Sequence, residues 1–256
     1  MTDSSAPPSS SFYDELAPHY HLLFPDWAAS IERQATQLDA IIDAHWPGTR
    51  NVLDVACGIG TQAIGLAQRG YRVTGSDLSR HEVERAKREA AARGLSIDLT
   101  VADMREADRR HRNDFDLVIC ADNSLPHLLT DGELLSALRA MRNCLRDGGG
   151  CLVTVRDYAR EQRGRNLLKP YAIQEAGDRR LLLWQVWDFD GPDHYDVSLF
   201  IVEDDRIAVE SIAKVFRSRY YAVSTERLCE LMREAGLNDV RRLDGAFYQP
   251  VLTGTR

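Results

Sequence analysis

The segment Val52-Leu53-Asp54-Val55-Ala56-Cys57-Gly58-Ile59-Gly60-Thr61 is an apolar run that breaks into a glycine turn and then into a helical pattern. Glycines at such a turn let a ligand approach the backbone where a helix begins. Asp77 follows twenty-three positions after Asp54, closing the next apolar run. A carboxylate there accepts two hydrogen bonds from a vicinal diol, which a neutral side chain does only in part. The third run ends in Asp103-Met104 and the fourth in Ala121-Asp122-Asn123-Ser124.

These residues must be delivered by the ends of strands. Val52–Val55, Tyr71–Ser76, Ile97–Val101, Phe115–Cys120 and Cys151–Val155 read as five strands, the fourth almost continuously apolar, as expected when both faces are covered. Helical spacing fills the gaps. Gln62 to Gln68, a Ser79-capped run to Gly94 and Asp131 to about Asp147 alternate with the strands, which predicts right-handed βαβ units. Ahead of them, Ala28–His45 keeps helical spacing and stops at Trp46-Pro47-Gly48. Arg105 to Arg112 is polar and reads as a solvated loop. After Arg156 a polar, partly helical stretch leads to three strand-like runs, 181–189, 195–202 and 208–221, joined by tight turns. A helix at Thr225–Ala235 and strands at Asp239–Leu243 and Phe247–Gly254 close the chain. The expected fold is α/β: a doubly wound, mostly parallel seven-stranded sheet with an antiparallel β-meander inserted after strand five. Residues 1–11 are expected to be a disordered tail and 12–256 one domain, with a helical cap at 12–46 and a substrate-side insertion at 160–222.

With 256 residues, 44% of them hydrophobic, the chain can bury a full core, and its net charge of −7 argues against binding nucleic acid through phosphate neutralisation. No apolar run reaches the ~18 to 20 residues of a membrane span, and the first eleven residues lack a signal-peptide pattern. A cytoplasmic protein with a small-molecule partner is expected, without membrane or nucleic-acid binding and compatible with homo-oligomer formation. Cys57, Cys120, Cys144, Cys151 and Cys229 lack ligand spacing and read as buried free thiols. The seven histidines are scattered, so no metal site is expected.

The spacing of Asp54 and Asp77 alone leaves a nicotinamide dinucleotide or S-adenosylmethionine open. The glycine pattern, Gly58-Ile59-Gly60-Thr61-Gln62-Ala63, ends in a tolerated Ala, but Asp54 to Cys57 and Asp103-Met104 have no role in holding a pyrophosphate. Over about residues 30–156 the chain resembles the class I S-adenosylmethionine-dependent methyltransferases. The resemblance implies that the loop of Asp54, Ala56, Gly58, Gly60 and Thr61 packs against the methionine and ribose parts and that Asp77 holds the ribose hydroxyls. It also implies that Leu78 lines the adenine pocket, that Asp103 binds the adenine amino group beside Met104, and that Ala121 belongs to the same site. Arg33, twenty-one residues before Asp54, would meet the methionine carboxylate.

Asn123-Ser124-Leu125-Pro126-His127-Leu128 and Arg156-Asp157-Tyr158 look like the Asn-Ser-x-x-His-Leu and Arg-x-Tyr of glycine and sarcosine N-methyltransferases, which also carry a meander and N-terminal tyrosines. By that resemblance Arg156 clamps a substrate carboxylate, for which its planar fork is suited, and Asn123 orients the amine. Tyr20 and Tyr220 are the expected aromatic wall. Val155 and Asp157 depart from the family's His and Asn; an acidic neighbour would partly neutralise Arg156 or mark a cationic acceptor. The resulting expectation is methyl transfer to the nitrogen of a small amino acid or amine, with His127 buttressing the Asn123 loop or serving a hydroxyl acceptor as base. The rivals are an O- or N-methyltransferase of a specialised metabolite or amino sugar, and a noncatalytic S-adenosylmethionine-binding protein.

Overall fold

The computed structural model describes residues 9–205, 207 and 210–256. Of the expected tail, residues 1–8 lie outside the described residues, and Ser9 already begins helix α1 (Ser9–Leu16). A 3-10 turn at Tyr20–Leu23 leads to α2 (Trp27–His45), whose N-cap Asp26 accepts from the Ala29 amide at 2.9 Å. Such a cap stabilises a helix by about 1 kcal/mol. Then come β1 (Asn51–Asp54), α3 (Thr61–Gln68), β2 (Arg72–Asp77), α4 (Arg80–Ala92) and β3 (Asp98–Val101). The chain continues through α5 (Ala107–Arg110), β4 (Phe115–Cys120), α6 (Asp131–Cys144) and β5 (Leu145–Thr154). The 105–112 stretch is thus not simply a loop: Asp103 caps a turn at Met104–Glu106, and α5 buries Ala107.

The main sheet has the order β10-β11-β5-β4-β1-β2-β3, in which β10 (Asn238–Leu243) follows α7 (Thr225–Glu234) and β11 is Val251–Thr255. Strands β1 to β5 are parallel; β11 runs antiparallel to β5 and to β10. The chain steps outward from β1 through β2 to β3, then returns to β4 on the other side of β1. That reversal opens a crevice at the strand ends beside Asp54, whose register partners are Gly75 and Ile119. One close approach holds the first long helix to the sheet: a Cβ on Gly150 would lie 2.2 Å from the Trp46 ring. All five cysteines are buried and free.

The insertion is a four-stranded antiparallel sheet, β6 (Leu167–Ala176), β7 (Arg179–Asp190), β8 (His194–Asp205) and β9 (Glu210–Tyr221), one strand more than expected. Lys169, Pro170, Gln174 and Glu175 hide β6 in the sequence. Proline is tolerated because β6 is an edge strand, and the register shifts between Pro170 and Ala172. Residues 208 and 209 of the last expected run lie outside the described residues. Phe12 and Leu16 of α1 pack on Leu183, Leu199, Ile201 and Phe216, so the N-terminal segment lies against this sheet. A second tie runs to the main sheet, where the Ser79 hydroxyl donates to Asp14 at 2.6 Å. No helix among the described residues is long and apolar enough to cross a membrane.

Strand β11 begins at Val251, later than the expected Phe247. The segment Phe247-Tyr248-Gln249-Pro250 is instead a loop, and it forms part of the wall described next.

Candidate active site

Two cavities open at the strand ends. The smaller, about 290 Å³, is walled by the glycine turn, the end of β2 and the segments after β3 and β4. Ala56, Gly58, Thr61, Asp77, Leu78, Asp103 and Met104 all line it. Asp77 fastens the turn: Oδ2 accepts from the Gly58 amide and Oδ1 from the Ser79 amide, each at 2.9 Å. Burial raises the Asp77 carboxyl above its ordinary range, while those amides pull it back down. Gly60 lies behind the wall at φ 99°, where the left-handed conformation suits glycine and a Cβ would meet Ile64 at 2.9 Å. Thr61 Oγ1 accepts from the Trp27 indole at 2.9 Å, joining α2 to the turn.

Asp54 is fully buried beneath the turn, and burial pushes its carboxyl up to about 7. One oxygen accepts from the Ala56 amide at 3.3 Å; the other has no partner among the described residues. Asp103 receives the Arg105 fork, which outweighs the opposing effect of burial and holds this carboxyl low. Arg105 also lines the cavity and reaches Glu133 at 2.6 Å. Leu78 leaves 43% of its surface exposed at the cavity, an apolar area available to a planar ring.

Glu82 is a residue the sequence reading missed. Ser79-x-x-Glu82 has capping-box spacing, and Ser79 Oγ does accept from the Glu82 amide at 3.2 Å. The reciprocal bond is not made, because the Ser79 amide is held by Asp77. The Glu82 carboxyl turns instead toward Gly58, where a Cβ would come within 3.2 Å of Oε2. It is buried, its Oε1 has no partner among the described residues, and burial beside Asp77 raises it well above the usual carboxylate range.

This wall decides between the two cofactors left open by sequence. Asp77, Asp103 and Glu133 put more carboxylate on the wall than the one Arg105 guanidinium offsets, with the Glu82 carboxyl beside them, a set of acceptors that disfavours a pyrophosphate. It fits a cationic ligand rich in N–H and O–H donors, and the orphaned oxygens of Asp54 and Glu82 are acceptors of the kind such a ligand needs. S-adenosylmethionine, with its sulfonium, ammonium, ribose diol and adenine amine, meets that description. Ala121 is buried away from both cavities and Arg33 lines the larger one, so neither stands in the smaller cavity where the sequence reading put it.

The larger cavity, about 850 Å³, is bounded by the N-terminal segment, the inner face of the four-stranded sheet and the 245–250 loop. Arg156 lies with its guanidinium carbon 4.6 Å from the centre of the Trp187 ring, while its Nη1 donates to the Tyr195 hydroxyl at 3.5 Å and its Nε lies 3.7 Å from Glu161 Oε1. Asp157 does not neutralise it: that carboxylate pairs with Arg242 at 2.6 Å and Arg160 at 3.3 Å. Glu161 is itself taken by Lys169 at 2.7 Å. Arg156 therefore keeps only a long ion pair, and Arg33, which also lines this cavity, has no ion pair among the described residues.

Asn123 stands differently from the expected role. Its Oδ1 accepts from the Arg156 amide at 3.0 Å and its Nδ2 donates to the Tyr158 hydroxyl at 2.9 Å, so the side chain is spent on holding the Arg156 backbone. Tyr220 lines the larger cavity as expected and packs against His127, ring centres 4.1 Å apart. His127 Nε2 lies 2.7 Å from the Tyr13 hydroxyl, and loss of solvent pushes the imidazole down to about 3. It remains neutral at physiological pH.

Three residues line both cavities: Tyr13, Tyr20 and Asp122. Tyr20 donates to Asp122 Oδ2 at 3.3 Å. A group bound in one cavity therefore meets a group bound in the other at this junction.

A methyltransferase-domain family model matches residues 52–149. A glycine/sarcosine N-methyltransferase of Parasynechococcus marenigrum is 33% identical over 135 residues, 53% of this chain and 47% of that protein. A cypemycin N-terminal methyltransferase of a Streptomyces species is 27% identical over 238 residues, 93% of this chain and 91% of its own. That protein apart, the chain spans about half the length of the curated relatives it matches. Among solved structures, an amino-pentose methyltransferase of Micromonospora echinaspora with S-adenosylmethionine bound superposes at a TM-score of 0.76 with 20% identity, over 89% of this chain and 92% of its own. The matched domain model and these relatives are methyltransferases, and the solved structure shares the fold of this chain.

Proposed function

We propose that this chain, which carries a class I S-adenosylmethionine-dependent methyltransferase domain, transfers the methyl group to the nitrogen of an amine larger than glycine. The observation that carries the reading is the junction itself, where Tyr13, Tyr20 and Asp122 face both a donor cavity and an acceptor cavity. Methyl transfer is an in-line displacement, so alignment and exclusion of water are what the protein must supply. S-adenosylmethionine, when bound, supplies the activated methyl group.

The residues divide the work. Asp77 and the glycine turn would hold the ribose, with Asp54 beneath them; Asp103 and Met104 would receive the adenine. Phe12, Leu16 and the tyrosines of the N-terminal segment keep water from the junction. Arg156, braced by Asn123 and Trp187, would bind an anionic part of the acceptor. The size of the larger cavity, about 850 Å³, lies near the upper end of ligand pockets, and free glycine would leave most of it empty. An amino-terminal peptide or an amino sugar fits it better, as the names of the cypemycin N-terminal and amino-pentose methyltransferases describe, whereas the glycine/sarcosine relative is named for smaller acceptors. His127, pushed down to about 3, is a poor base, which argues against a hydroxyl acceptor.

The test is formation of S-adenosylhomocysteine by the full chain with a panel of glycine, sarcosine, short peptides with free N-termini and nucleotide-linked amino sugars. Turnover with one of the larger amines above that with glycine is expected. Transfer to phenols or alcohols and to no amine would sink the reading. Binding of S-adenosylhomocysteine with transfer to nothing would favour a noncatalytic binder.

A further inference from the structure

We propose that Asp122 is a catalytic residue that accepts the proton of the incoming ammonium group, and so selects acceptors that arrive positively charged. This rests on the reading of the chain as an amine methyltransferase.

The carboxylate stands where the two cavities meet. Its position is imposed, because Asp122 has φ 57° and Asn123 φ 64°, two successive non-glycine residues in the left-handed region. Each such residue costs on the order of 1 kcal/mol or more and persists where the surroundings fix it. They do so here: the Asp122 amide donates to Thr154 Oγ1 at 2.8 Å, the Asn123 amide to the Thr154 carbonyl at 3.1 Å, and Thr154 Oγ1 donates to Gln249 at 3.0 Å. Oδ1 accepts from the Tyr248 hydroxyl and Oδ2 from Tyr20. Oδ1 also accepts from the Gln249 side-chain amide at 3.5 Å, so Oδ2 is the oxygen with room for a further donor.

An ammonium group cannot attack until its lone pair is free. Entering the junction as R–NH3+, it gives one proton to an Asp122 oxygen; an ion pair becomes a neutral amine and a carboxylic acid, a change favoured where water is excluded. The amine lone pair then forms the nitrogen–carbon bond as the carbon–sulfur bond breaks, its electron pair returning to sulfur. The product leaves as the methylammonium, and Asp122 releases its proton to solvent. The charged and titratable groups acting on this carboxyl are Tyr20 from the N-terminal segment, Glu82 from α4, Arg156 after β5, Tyr171 from β6 and Tyr248 from the last loop. Burial shifts the carboxyl upward, the direction that improves a base, while Tyr248, Arg156 and Tyr20 hold it back.

The experiment compares wild type, Asp122→Asn and Asp122→Gly, using an amine that wild type methylates, from pH 6 to 10, with S-adenosylhomocysteine affinity measured by calorimetry. Both variants should lose about 100-fold or more in kcat/KM at pH 7 and regain it as pH approaches the amine's own pKa, when the free base enters. Glycine relieves the left-handed backbone, so Asp122→Gly should be at least as thermostable as wild type. Cofactor affinity should change less than fivefold. Wild-type kcat/KM at pH 7 in either variant, or a loss that high pH does not restore, overturns the role of Asp122 alone. Methylation by wild type of hydroxyls only overturns the amine reading and this proposal with it.

Discussion

The Tyr13 hydroxyl and Nε2 of His127 lie 2.7 Å apart, joining the first helix to the segment after β4 at the edge of the cofactor cavity. Ser218 of β9 approaches the other ring nitrogen at 3.4 Å, so one imidazole ties three parts of the chain together. His127→Ala should release Tyr13 and lower kcat by about tenfold, the effect of losing a contact worth ~1 to 1.5 kcal/mol. Tyr13→Phe should show the same change, and the double variant should add little, which a double-mutant cycle reads directly.

The same histidine sets a pH limit. A folded pKa of about 3 against an ordinary 6.5 means that the unfolded chain binds the extra proton between those values. Stability from this group is complete above about pH 6.5 and falls as pH drops, by on the order of 1 to 2 kcal/mol at pH 5. Thermal melts of wild type should drop more steeply below pH 6.5 than those of His127→Gln.

Glu82 predicts the opposite slope. Burial makes the folded chain hold the Glu82 proton more tightly than the unfolded chain does, so stability from this group is whole below the ordinary carboxylate range and is lost as pH rises above it. Glu82→Gln should match wild type in Tm at about pH 4 and exceed it at about pH 9. Equal melts at both pH values would mean that the buried carboxyl is solvated in a way its lack of a partner contradicts.

Asp77 holds two backbone amides as well as its proposed ligand. Asp77→Ala should weaken S-adenosylhomocysteine binding by about 100-fold, the equivalent of ~3 kcal/mol, and titration calorimetry measures it. Arg156→Lys tests the acceptor side: the stack on Trp187 and the planar fork are lost, so KM for an anionic acceptor should rise about tenfold with cofactor affinity unchanged.

Gly150→Ala probes the frame. A methyl group 2.2 Å from the Trp46 ring must displace α2 from the sheet, costing about 2 to 3 kcal/mol and several degrees of Tm.

The parallel half of the fold was legible because each buried strand is an apolar run closed by a turn signal, as at Val52–Gly60 and Phe115–Cys120. Asp77 and Asp103 could be placed by counting from strand ends. The edge strand β6 could not, since its alternation is broken by Lys169 and Pro170. Glu82 was masked by a local pattern that assigns its carboxyl to the helix cap, a bond the fold gives to Asp77 instead. Asp122 and Asn123 are adjacent polar residues with no sequence mark to say which faces the junction; the left-handed backbone turns Asn123 toward Tyr158. Phe247 and Tyr248 read as strand because two aromatic residues shortly before Val251 and Leu252 resemble a strand's start.

Asp122 is gripped by Tyr20, 102 residues before it, and by Tyr248, 126 residues after it. During synthesis the nascent chain can fold its central strands long before the second of those tyrosines leaves the ribosome. A chain that lacks Tyr248 would therefore form the Asp54–Thr61 turn while Asp122 is held from one side only.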